Sequence, residues 1–140
     1  MNLVHTLGVR FFLLFVLFGL ALGATAQSKA QEIDKSSMLI KFFEKGDAEE
    51  LLPYLAPLVE LDLPSKSGVF GQKQCVLILQ EFFKEHLPKT FTIIHSGESE
   101  DQSSFFIGQY LSLAGKEFRV SIFLHQSKKN SLIQEIDLVP

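Results

Sequence analysis

Two pairs of carboxylates stand two residues apart in alternating stretches, Glu60 with Asp62 and Glu135 with Asp137. In an extended chain such positions share a face, and an acid held there can act as a general base. In both stretches, however, the acids oppose the apolar phase. Charged residues seldom face a core, so both pairs are expected on a solvated outer face. Beyond residue 26 the histidines are His86, His95 and His125, far apart in sequence. His86 lies at the end of a helical pattern and His125 near a hairpin end. His95 shares a phase with Phe91 and Ile93, which places it at the edge of the core as a hydrogen-bonded side chain rather than a base. Cys75 sits in an apolar helical run and reads as a small buried hydrophobe. As the only cysteine, it can form no internal disulfide. No glycine-rich phosphate loop, metal-spaced Cys/His cluster or G-x-S-x-G element occurs. No catalytic residue, metal ligand or cofactor is assigned, and an enzyme is the less favoured reading.

The elements that position these residues centre on Phe105 to Leu124. Two apolar runs of period two flank Ala114-Gly115, the pattern of a long β-hairpin. With a two-residue turn there, Leu111 faces Phe118, Ile107 faces Ile122 and Phe105 faces Leu124. The inner phase is then Phe105, Ile107, Gln109 and Leu111 against Phe118, Val120, Ile122 and Leu124. The closing strand adds Leu132, Gln134, Ile136 and Leu138. Two glutamines interrupt this apolar surface, and apolar walls with a few polar groups are how small-molecule sites are built. Either Gln109 and Gln134 bond each other or nearby backbone, the favoured reading since most buried polar groups are satisfied internally, or Gln109, Gln134, His95, Phe83, Ile107 and Val120 form a candidate pocket, suited to a small apolar ligand. The opposite phase carries Phe106, Tyr110, Arg119 and Phe123. Contiguous exposed aromatics mark interfaces, so these four form the candidate homodimer surface.

Before the hairpin the chain reads as helices and a short strand pair. Ser36 or Ser37 caps a helix bearing Leu39, Phe42 and Phe43, which Gly46 ends. Asp47 starts a second helix, kept short by Pro53. Leu58 to Leu63 alternates as a strand, and Pro64 to Gly68 is turn chemistry. The strongest helix runs from Gly71 or Gln72 to His86, with Cys75, Val76, Leu79, Phe82 and Phe83 as its stripe. After Pro88 the chain turns to strands, with an acidic, polar loop at Gly97 to Ser103. Helices followed by a meander of strands is an α+β arrangement.

The first residues are expected to leave the fold. Arg10 precedes an almost wholly apolar run from Phe11 to Leu22, and Ala24-Thr25-Ala26 fits a cleavage site. That is the anatomy of a secretory signal peptide. The run is short for a bilayer span of ~20 residues, so no membrane span is expected after cleavage. The expected organisation is a leader over 1–26, a flexible lead-in over 27–35 and one domain over 36–140, exported to the periplasm or the medium. Cleavage removes one base and no acid from 13 and 16, which leaves a net charge of −4. A mildly acidic chain does not offer a nucleic-acid surface. Ten of the fourteen phenylalanines lie beyond the leader and tryptophan is absent, so phenylalanine must supply most of the large core side chains.

Helices, a short hairpin, one long helix and then a sheet resemble the nuclear transport factor two-like, or cystatin-like, cone. The wording of five segments is narrower. Val59-Glu60-Leu61-Asp62-Leu63-Pro64, Lys66-Ser67-Gly68, Leu79-Gln80-Glu81-Phe82-Phe83, Phe91 to Gly97 and Leu132-Ile133-Gln134-Glu135-Ile136 stand in the order seen in domain of unknown function 4783, a family of small exported Bacteroidota proteins. The resemblance implies two or three N-terminal helices packed on a curved antiparallel sheet. It carries no activity and transfers no catalytic residue. Related cones often dimerise through a sheet face, and some enzymes among them use one carboxylate as a base. The expected function is a non-catalytic module that binds a small apolar ligand or an envelope protein partner. The alternatives are an isomerase- or dehydratase-like enzyme using a pocket acid or histidine, and an accessory module without a pocket.

Overall fold

The computed structural model describes residues 34–127 and 130–140. The chain divides into two units, Met1–Ser37 and Met38–Pro140. Of the first, residues 34–37 are described, as helix. The expected leader over 1–26 and all but the end of the expected lead-in over 27–35 lie outside the described residues. Everything below concerns the second unit.

Helix α1, which within this unit covers 38–45, buries Leu39, Phe42 and Phe43, the i, i+3, i+4 spacing of one helical face. Gly46 ends it at φ +66°, with its N–H donating to the Phe42 carbonyl at 3.0 Å. This is the left-handed residue that a helix C-terminus takes. The Asp47 carboxylate then accepts the Glu49 N–H at 3.2 Å and caps a 3-10 helix, Ala48–Tyr54. Pro53 lies inside this helix; lacking an N–H, it restricts the segment to a short turn. Strand β1 (Leu55–Leu63) pairs with β2 (Lys66–Gly71) as a hairpin. Helix α2 (Gln72–Glu85) buries Cys75, Val76, Ile78, Leu79, Phe82 and Phe83, the expected stripe widened by Ile78. Leu77 points outward and is 64 % exposed.

Strands β3 (Pro88–Glu98), β4 (Ser104–Ser112), β5 (Glu117–Gln126) and β6 (Ser131–Val139) complete one six-stranded sheet in the order β2-β1-β6-β5-β4-β3. The sheet is curved and mixed, with three helices packed on it. The β1–β6 pair is parallel, whereas an antiparallel sheet was expected throughout. Rings fill the space under the helices. Phe43 stacks on Phe91 with centroids 4.5 Å apart, and Phe82 meets Phe118 edge-on at 5.0 Å. The Tyr110 hydroxyl donates to the His86 carbonyl at the end of α2.

The β4–β5 register differs from the expected one by a single residue. Phe106 faces Ile122, Gly108 faces Val120 and Tyr110 faces Phe118. The loop is Leu113-Ala114-Gly115, three residues rather than two. Gly115 adopts φ +83° and donates to the Ser112 carbonyl at 2.9 Å, while Ser112 N–H donates to the Lys116 carbonyl at 2.9 Å. A three-residue hairpin loop calls for a left-handed residue at its end, and glycine supplies it here. A one-residue slip sends every side chain of one strand to the other face. β5 keeps its expected phase and β4 takes the opposite one. Phe106 and Tyr110 therefore belong to the core.

Two further irregularities redirect side chains. In β3 the register shifts between Ile93 and His95. Phe91 stays inside opposite Tyr110, but His95 turns outward to pair with Ile107. In β6 the shift falls between the partners of Phe123 and Leu124, which are Glu135 and Ile133. Gln134 is the extra residue of that bulge and faces solvent.

Candidate functional site

The six candidate pocket residues do not come together. Phe83 and Val120 are buried core. Gln109 is exposed on the outer face, where its Nε2 donates to Glu117 Oε2 at 3.2 Å. Gln134 is exposed as well. Ile107 and His95 face each other across β3 and β4 on that outer face, where the His95 ring lies 5.4 Å from Phe105. The glutamines thus line no interior cavity, and His95 is not a core-edge residue. Of the candidate dimer residues, Arg119 and Phe123 do lie on the outer face, while Phe106 and Tyr110 are 1 % and 0 % exposed beneath it.

The slip that buries Phe106 and Tyr110 brings Phe105 and Ile107 outward. Phe105 pairs with Phe123, Ile107 with Ser121, Phe123 with Glu135 and Ser121 with Asp137. These residues surround a shallow cleft of about 190 Å³ lined by Phe105, Ile107, Ser121, Phe123 and Glu135. Both expected carboxylate pairs stand beside it on the same face. In the parallel register Glu60 faces Glu135 and Asp62 faces Asp137, so the two pairs merge into one column of four acids. Burial, reinforced by Glu135, Asp62 and Glu60, holds the Asp137 carboxyl above the usual carboxylate range. A second open cleft of about 290 Å³ lies toward the other end of the hairpin, between Ile94, Gln109, Glu117, Arg119 and Pro140. Among the described residues no element covers this face. Leu58, Val69 and Ile94 on it are 62–65 % exposed.

One cluster that the sequence did not single out joins Asp101, Ser103 and His125. Ser103 Oγ lies 3.0 Å from Asp101 Oδ2 and 2.9 Å from His125 Nδ1. A hydroxyl has one proton, and a carboxylate only accepts. Ser103 therefore donates to Asp101, and His125 Nδ1–H donates to Ser103. A nucleophilic serine needs the reverse, with histidine taking its proton. Ser103 is also 1 % exposed. The cluster fastens the β3–β4 loop, where Ser103 N–H also donates to Asp101 Oδ1 at 3.0 Å; these bonds depress the Asp101 pKa. Cys75 is buried, and burial pushes its thiol up to about 11. Among the described residues no group of three or more His, Cys, Asp or Glu side chains has the geometry of a metal site. No described helix is long and apolar enough to cross a membrane.

The arrangement is a sheet face that no described element covers, with an aromatic-walled cleft and an adjoining line of acids. The signals were present in part. The carboxylate pairs were visible as pairs, but their merger depends on the β1–β6 register, and Phe105 was hidden by the hairpin slip.

Comparison with known proteins places the fold. Among functionally curated proteins, none matches the sequence. A DUF4783 protein from Bacteroides ovatus is 30 % identical, with a TM-score of 0.65 over 73 % of this chain and 93 % of its own. One from Bacteroides uniformis is 28 % identical, with a TM-score of 0.68 over 74 % and 94 %. A cystatin-like domain of unknown function from Nostoc punctiforme is 10 % identical, with a TM-score of 0.62 over 79 % and 76 %, a likeness of fold alone. The family model for domain of unknown function DUF4783 matches residues 36–138. With that match across almost the whole of the unit that holds the sheet, the chain belongs to the DUF4783 family and carries its α+β, nuclear transport factor two-like fold.

Proposed function

We propose that the protein is an exported, non-catalytic interaction module that docks a protein partner on the outer face of its sheet. The observation that carries this reading is the uncovered face itself. A sheet with one solvated side ordinarily shows polar groups there. Here Phe105, Ile107 and Phe123 meet around a cleft, with Leu58, Val69 and Ile94 exposed on the same face. Contiguous apolar surface of this kind marks an interaction site. Export rests on the leader over 1–26. The enzyme alternative finds less support among the described residues. The acids lie on β1 and β6, His95 lies on β3, and the Asp101–Ser103–His125 order is wrong for a nucleophile. A small apolar ligand finds less support, because the two glutamines face solvent and rings occupy the interior.

Photo-crosslinking in the native envelope tests the reading. Benzoylphenylalanine replacing Ser121 should give a discrete adduct that Phe123→Glu abolishes. The same group replacing Leu77, exposed on α2, should give none. Equal adducts from both positions, or none from Ser121, would contradict outer-face docking.

A further inference from the structure

The cleft on the outer face joins two chemistries. Phe105, Ile107 and Phe123 give it apolar walls, Ser121 of β5 lines it beside Ile107, and Glu135 stands on its rim beside Phe123. Beyond Glu135 the acids continue through Asp137, Glu60 and Asp62. We propose that the cleft takes a lysine or arginine side chain of a partner polypeptide lying across the outer face; this rests on the docking reading above. Such a side chain has an apolar stem and a charged head. The stem lies along Phe105 and Ile107, and the head reaches Glu135 within range of two aromatic faces, which themselves attract cations.

Charge complementarity selects this occupant. Like charges directly opposed in a sheet are destabilising, and the β1–β6 register opposes them twice, Glu60 to Glu135 and Asp62 to Asp137. Among the described residues no paired neighbour of the four acids is a cation. Ser121 and Phe123 are the β5 neighbours of Asp137 and Glu135, and Ser67 and Val69 are the β2 neighbours of Asp62 and Glu60. Burial and those neighbouring acids already keep the Asp137 carboxyl reluctant to ionise. A partner's cation relieves that repulsion. A second copy does so poorly. On β1, β6, β5 and β4 the outer face sets Glu60, Asp62, Glu117, Glu135 and Asp137 against Arg119 as its one cation among the described residues. Two such faces bring acids to acids.

The test titrates the full chain with two capped decapeptides, one alternating lysine with leucine and one alternating glutamate with leucine, read by amide chemical shifts. The lysine peptide should move the amides of Phe105, Ile107, Phe123 and Glu135. Raising salt from about 0.05 to 0.5 M should weaken it by screening. The double variant Glu135→Gln with Asp137→Asn should weaken it by about tenfold, the loss of charge-paired contacts. Glu49→Gln with Glu50→Gln removes the same charge from the 3-10 helix and should leave binding unchanged. Shifts confined to other surfaces, or equal weakening by both double variants, would overturn the proposal. Equal binding of the glutamate peptide at the same amides would also overturn it, on the unaltered protein, while the docking reading itself would stand.

Discussion

At Gly108 the sheet has room for one ring and nothing else. A Cβ there would stand 2.4 Å from the Phe91 ring and 3.0 Å from the Thr92 carbonyl oxygen. Phe91 cannot yield, because it is buried and stacked on Phe43. Gly97 has a similar relation to Phe105, with a Cβ 2.6 Å from its ring. Phe105 lies on the uncovered face, however, and can swing into solvent. The two glycines therefore separate packing on the inner and outer faces. Gly108→Ala should cost about 1–3 kcal/mol, the usual penalty of forcing extra volume into a packed core. Gly97→Ala should cost clearly less. Urea denaturation of both variants checks this, and equal losses would contradict the assignment of the two faces.

At the scale of elements, the parallel β1–β6 pair fixes the acid column. Asp137 titrates above the ordinary carboxylate value because of burial first and then Glu135, Asp62 and Glu60. For an acid whose folded pKa is raised, ionisation opposes folding. The penalty is absent below the unfolded pKa, about 4, grows as pH rises toward the folded value, and is complete above it. Asp137→Asn should therefore melt higher than the parent at pH 7, and the gap should close by about pH 3, below the unfolded carboxylate pKa. Thermal melts at the two pH values check the sign; an Asn variant that melts lower at pH 7 would contradict it. The same elements show what a sequence can and cannot disclose. Helix α2 and strand β5 were legible because each has one apolar face, Cys75 to Phe83 and Phe118 to Leu124. β4 was not, because it is apolar in both phases. Its outward phase, Phe105, Ile107 and Leu111, is more hydrophobic by composition than the buried one, which contains Ser104, Gly108 and Ser112. The three-residue loop ending at Gly115 decided between them. The bulges that expose His95 and Gln134 leave no trace in hydropathy, since an inserted residue alters pairing and not composition.

For the molecule as a whole, the central claim is that the outer sheet face is covered in the native envelope and open in isolation. Cys75 makes a direct measurement practical. It is buried, with its thiol pushed up to about 11, and the thiolate is the reactive form, so the native cysteine is nearly silent toward maleimide. A cysteine introduced at Ser121, in the middle of the outer face, then reports that face. A second, introduced at Lys73 on the exposed side of α2, reports the far side. The Ser121→Cys variant should label at least about tenfold more slowly in intact envelopes than after purification, the accessibility lost when an interface core excludes water. The Lys73→Cys variant should label alike in both. Equal labelling of Ser121→Cys in the envelope and in isolation would contradict the account.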